Sequence, residues 1–180
     1  MLAYKFLRAG AVGPFSGVAW PQPRGGAPGE WVEAAGGTSV CRRGVHACRL
    51  EDLPRWIGRE LWAVELRGGV LETPYKVVAP AGRLARRIDA WDDRAAAAFA
   101  EACIERVRAL AASGPAAIAG YVQDAEANCL GPRADEDPPL AAAVAAVIAA
   151  HAAGDAGGAE AVARERATQV AWFRERLRLS

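Results

Sequence analysis

The sequence predicts an α+β protein: a small, twisted, mainly antiparallel sheet in the first half and a bundle of about four helices packed on it in the second. Up to residue 90, short apolar runs alternate with polar residues and are cut every few positions by Gly or Pro, which is the pattern of strands and turns. From there on, alanine dominates and apolar residues recur at helical spacing. The chain has 180 residues, enough for one compact unit with a core of its own and no need of disulfides or metal to fold. The reading therefore divides it into a β-rich half, 1–90, and an alanine-rich helical half, 91–180.

The elements follow in order. Ala3 to Arg8 alternates as a strand and is broken by Gly10, Gly13 and Pro14. Phe15 to Trp20 reads as a second short strand, residues 21–29 as a Pro/Gly loop, and Glu30 to Ala34 as a third strand. Ser39–Cys41 and Gly44–Cys48 form one bent strand or two, with Gly44 marking a turn or bulge. Glu51 to Ile57 reads as one or two helical turns whose opening carboxylates suit the helix dipole. Glu60 to Leu66 is the clearest strand, with Trp62, Val64 and Leu66 toward the core. Val70 to Ala79 is one extended segment interrupted by Pro74, and Gly82 to Ile88 fits strand or helix.

In the second half Asp89 is the expected cap of a helix reaching about Ala112, with Phe99, Cys103, Val107 and Leu110 as its apolar stripe. A second helix follows Pro115 and carries Ile118, Tyr121, Val122 and Ala125 on its apolar face. A third begins after Asp137, carries Leu140, Val144, Val147, Ile148 and His151, and stops near Gly154. The last runs from about Gly158 to Leu177, with Val162, Val170, Phe173 and Leu177 inward and Arg164, Glu165, Arg174 and Arg176 largely outward.

Composition narrows the setting. Net charge is +1, which gives no case for nucleic acid or a membrane surface as partner. The halves differ in sign: 13 Lys/Arg against 8 Asp/Glu in residues 1–90, and 9 against 13 in residues 91–180. Mutual attraction of the halves explains this more simply than a basic ligand face. Lys5 and Lys76 are the only lysines among 22 basic residues, an Arg excess that fits GC-rich coding in a bacterium. The N-terminus lacks the apolar core of a secretory leader, and no run reaches the ~20 apolar residues of a membrane span. Cys41, Cys48, Cys103 and Cys129 are therefore expected as free thiols of a soluble cytoplasmic protein.

The densest collection of reactive side chains is Cys41-Arg42-Arg43-Gly44-Val45-His46-Ala47-Cys48. In a strand, His46 and Cys48 share a face, and an imidazole beside a thiol raises the thiolate fraction. Three readings compete. In the first, Cys41, His46 and Cys48 bind zinc, although no fourth ligand lies nearby in the sequence. In the second, His46 is a general acid/base and Cys48 a nucleophile or modulator, with Arg42 and Arg43 drawing in an anionic ligand. In the third, His46 is a satisfied structural residue and Cys48 a small buried hydrophobe. The third is favoured, and no cofactor is expected. Trp20 and Trp31 flank the 21–29 loop and could stack on a ligand, though filling the core is the simpler role. Cys103 reads as core, and His151 as complementing a helix C-terminus.

The strings Tyr4-Lys5-Phe6-Leu7, Gly13-Pro14-Phe15-Ser16-Gly17 and Trp20 resemble the opening of a family of uncharacterised bacterial proteins. Cys41 with Gly44-Val45-His46-Ala47-Cys48, Glu51-Asp52-Leu53-Pro54 and Glu60 to Leu66 match the same pattern, and Gly-Val-His-Ala-Cys is similar to an element in small phage and bacterial domains of unknown function. The resemblance covers about the first half of the chain and implies a shared fold, with no assigned activity. A more distant analogy is to ADP-ribosyltransferase-like domains. Here the first strand carries no His, and Glu65 and Glu72 are the only late-strand candidates for a catalytic Glu.

The sequence alone thus points to a non-catalytic module that binds a small anionic ligand or a protein, and leaves open whether the chain is an enzyme and how it oligomerises. The alternative is a small enzyme acting on an anionic ligand with His46 as general acid/base.

Overall fold

The computed structural model describes residues 1–113, 118–120 and 138–179. The architecture is α+β, with antiparallel sheets in the first half and helices in the second. It divides into two units, residues 1–91 and 92–179.

The first unit holds seven strands. These are β1 (Leu2–Leu7), β2 (Val32–Glu33), β3 (Val45–Ala47), β4 (Glu60–Arg67), β5 (Leu71–Glu72), β6 (Val77–Ala79) and β7 (Ala81–Arg87). One sheet has the order β1-β4-β7-β2 and the other β3-β6-β5. All five strand pairs are antiparallel. A two-way backbone pair between Tyr4 and Cys48, 2.8 Å in each direction, ties the end of β3 to β1 and so joins the sheets.

The period-two rule sorts the faces. Ala3 and Leu7 of β1, Val45 and Ala47 of β3, and Trp62, Val64 and Leu66 of β4 enter one core. The opposite face of β4 is buried as well, with Leu61 and Ala63 almost fully covered. Phe6, on that second face of β1, meets the Trp91 ring edge-on at 5.5 Å. Lys5 lies between Ala3 and Leu7 in the alternation and therefore points inward, opposite Trp62.

Several sequence expectations change here. Phe15 to Trp20 is not a strand. Gly17 N–H bonds Gly13 O and Gly13 N–H bonds Val18 O, so the segment closes on itself as a turn and leaves only the single bridges Arg8–Val12 and Val12–Ala19. The 70–79 segment is a hairpin of two strands, turned at Thr73–Lys76 where Thr73 bonds Lys76 O through both backbone and hydroxyl. Residues 81–87 settle as strand β7. The helical turn is a 3-10 helix, Leu50–Arg55, with Pro54 inside it.

The second unit contains α1 (Asp93–Ser113) and α2 (Pro138–Leu177). Asp92, not Asp89, caps α1: its carboxylate accepts the Ala95 N–H at 2.8 Å. The α2 span holds two helices that meet at Gly154, whose φ of +68° and ψ of 178° are not helical, so the third expected helix stops at Gly154 as the sequence predicts and the last begins just after it; they are the two arms of α2. Most of the expected second helix lies outside the described residues; 118–120 are helical.

The buried face of the first arm is made by alanines 141, 142, 145, 146 and 149 with Ile148, while Val147 and His151 are exposed. Small side chains let helices approach closely, which a search for large apolar residues overlooks. On the second arm Glu165 is buried rather than outward. It takes a bidentate ion pair from Arg106 of α1 (2.8–3.1 Å) and a bond from Gln169, which also donates to Ala142 O. Phe99 packs against Trp172 and Phe173 with ring centroids 5.1 and 4.8 Å apart. Among the described residues no helix is long and apolar enough to cross a membrane.

Candidate functional site

The Cys41–Cys48 segment enters the sheet through a turn. Ser39 and Arg43 exchange backbone bonds, and Cys41 sits at the tip with φ +63°. Gly44 follows at φ +122°; a Cβ there would meet Val78 Cγ1 at 2.5 Å and Thr38 Cγ2 at 2.9 Å. Only glycine lets the chain pass from this turn into β3.

The imidazole of His46 reaches back over the turn. Its Nε2 accepts the Cys41 backbone N–H at 3.1 Å, and its Nδ1 lies 3.0 Å from Gly44 O. An acceptor role at Nε2 and a carbonyl at Nδ1 together require the neutral tautomer with the proton on Nδ1. Electrostatics agree. Burial lowers the imidazole pKa from 6.5, the Lys76 and Lys5 charges push the same way, and the Gly44 bond opposes them. The half-buried ring thus links positions 41, 44 and 46 and holds the turn shut.

By the strand alternation Cys48 shares the face of His46 but meets a different environment. It is buried, its thiol donates to Tyr4 O at 3.3 Å, and burial pushes its pKa up to about 12, with the Asp52 charge adding to this. At neutral pH it is a thiol, not a thiolate, so it offers no nucleophile. Cys41 is exposed at the turn, apart from Cys48, with its backbone rather than its sulfur on the imidazole. The three side chains of the zinc reading do not converge, and among the described residues no group of three or more His, Cys, Asp or Glu is placed to hold a metal ion.

The expected ligand residues are spread out. Arg42 is exposed on the turn, and Arg43 donates to Gly36 O at 3.3 Å. Trp20 is a core residue under the Lys5 ammonium, 5.3 Å from its centroid. Trp31 stacks with Arg67 and Arg83 at 4.2 and 4.7 Å. Arg49 is committed to Asp52, Glu72 and Thr73 O, which pins the 3-10 helix to the β5–β6 hairpin. A groove of about 310 Å³ is lined by Glu33, Arg67, Gly68 and Pro80, and another of about 510 Å³ lies in the helical unit beside Arg106 and Glu165. Neither is lined by His46 or Cys48.

Two residues that sequence reasoning passed over complete the picture. Lys5 donates to the His46 carbonyl, and burial pushes its pKa down to about 8, against the opposing influence of Cys48. Lys76 donates to Cys41 Sγ at 2.9 Å and lies 5.5 Å from the centroid of Trp56. These are the only two lysines of the chain, and both end on the Cys41–Cys48 segment. Their rarity amid so much arginine was the available clue. Beyond Trp56, Arg55 stacks on the exposed Tyr75 at 4.1 Å, so cations and aromatic faces continue across this surface.

Comparison with known proteins finds no matching family model, no matching curated protein and no matching solved structure.

Proposed function

We propose that the chain is a non-catalytic module of a bacterial cytoplasm that binds a small anionic ligand or a protein, and that the Cys41–Cys48 segment is its structural clasp. The observation that carries this is the saturation of the His46 ring: one nitrogen bonds the Cys41 N–H and the other the Gly44 carbonyl. A general acid/base needs a nitrogen within reach of its substrate, and the clasp leaves neither. The binding surface we favour is the one carrying Lys76, Trp56, Tyr75 and Arg55, where cations lie against aromatic rings.

The alternative enzyme reading, with His46 acting on an anionic ligand, draws on the half-exposure of the ring and the two ammonium groups around it. It requires the ring to release a backbone partner in each turnover. Titration of the isotope-labelled protein with inorganic pyrophosphate, followed by NMR, separates the two. The module reading expects saturable shifts at Arg55, Trp56, Tyr75 and Lys76 and the same affinity in a folded His46→Asn variant. Pyrophosphate cleavage that vanishes in that variant would refute it.

A further inference from the structure

We infer that Cys41 and Lys76 are the two halves of an oxidant-formed cross-link, a sulfur–nitrogen bond that staples the 39–43 turn to the start of β6. The groups are already in contact, Nζ to Sγ at 2.9 Å. Each is anchored from behind. The Cys41 N–H is held by the His46 ring, Lys76 N–H by the Thr73 hydroxyl, and the two segments by the antiparallel pairing of β3 with β6. Bond formation therefore asks only for rotation within the long Lys76 side chain.

The chemistry balances with a hydroperoxide as oxidant. With hydrogen peroxide, the Cys41 thiol becomes a sulfenic acid and one water is released. The Lys76 ammonium gives a proton to solvent, and the free amine attacks sulfur. The S–N bond forms as the S–O bond breaks, hydroxide leaves with the bonding pair, and it takes up the second nitrogen proton as water. The sum is thiol plus amine plus hydrogen peroxide giving a sulfenamide and two waters, with sulfur oxidised by two electrons and peroxide reduced by two. An added thiol reverses it, attacking sulfur to release the amine, and a second thiol restores Cys41.

Selectivity comes from the same geometry. Cys48 and Cys103 are buried, with pKa values pushed up by burial to about 12 and about 11, whereas Cys41 is exposed. A lysine is also required: a guanidinium in its place would hold the sulfur but would not form the bond. The link would close a ring across 35 positions, which constrains the unfolded chain and stabilises the native one.

The test is mass spectrometry of the full chain after peroxide treatment, with and without dithiothreitol, beside Cys41→Ser and Lys76→Arg variants whose folding is checked by circular dichroism. Wild type is expected to give a linked peptide pair containing positions 41 and 76, lighter by two hydrogen atoms and lost on reduction, with a Tm raised by about 5 °C. Cys41→Ser gives no link. Lys76→Arg gives none either but accumulates sulfenic acid, captured by dimedone about tenfold more than in wild type. Equal dimedone capture in wild type and Lys76→Arg, or oxidation of Cys41 to sulfinic acid with no linked pair, would overturn the inference.

Discussion

The two units differ in the partners their inward polar side chains mainly take, with the Asp52–Arg49 pair as the β unit's own side-chain pairing. In the β unit, His46, Glu60 and Lys5 bond backbone atoms: the imidazole holds a turn, Glu60 holds the Gly10 and Ala11 N–H groups at 3.0 Å, and Lys5 holds the His46 carbonyl. In the helical unit, Arg106, Glu165 and Gln169 bond mainly one another across two helices. Helices satisfy their own backbone, so a buried polar group there is free to fix the register of its neighbours. Short strands and long turns leave N–H and C=O groups without ladder partners, and polar side chains are recruited to meet them.

If that contrast is right, the largest effect comes from breaking the helical network. Glu165→Ala leaves Arg106 beside an apolar gap and removes one partner of Gln169. A loss of about 3 kcal/mol is expected in urea unfolding followed by the helical circular dichroism signal. The double variant Arg106→Met/Glu165→Leu is expected to recover most of it, because no charge is stranded. A double variant as unstable as the single would mean the helices need the charges themselves.

Next in size is Gly44→Ala. The added methyl meets Val78 and Thr38, and the backbone is strained at φ +122°. A cost of about 2–3 kcal/mol is expected in the same assay, with loss of the β3–β6 amide protection in hydrogen exchange. Unchanged protection would show that the turn is not what seats β3.

Glu60 gives a smaller effect with a pH signature. Burial alone would raise its pKa, but bonds from Gly10, the Trp62 indole and Ala11, with the Arg87 charge, outweigh this and hold it below 4.5. A carboxylate depressed on folding contributes its stability in full above the unfolded pKa and loses it as pH falls through the folded one. Glu60→Gln is therefore expected to cost about 1.5–2 kcal/mol at pH 7, and the gap to wild type to shrink below pH 4.5. A gap that does not change with acid would assign Glu60 to packing.

How much of this was legible in the sequence follows from the same contrast. β1 and β4 were readable because Trp62, Val64 and Leu66 obey a local period. α1 was readable from Phe99, Cys103 and Val107, which are indeed buried. The α1 start lies three residues beyond the expected one, because Asp89 and Asp92 offer the same carboxylate and only geometry selects Asp92. Charge alone points Glu165 outward, because it says nothing of a partner 59 positions away. At the candidate segment, alternation relates His46 to Cys48 but says nothing of the partners of either. His46 and Cys48 share a face as alternation requires, yet the imidazole bonds the Cys41 and Gly44 backbone and the thiol bonds Tyr4 O. Side chain-to-backbone bonds of this kind leave no periodic trace.

The central claim is that His46 serves the fold as a neutral clasp. Its pKa is lowered on folding, so its contribution is complete above pH 6.5 and is lost as pH falls below that value. The most direct test is nitrogen NMR of the His46 ring against pH. The account predicts the tautomer protonated on Nδ1 and a titration midpoint below 6.5. A proton on Nε2, or a midpoint above 6.5, would contradict it.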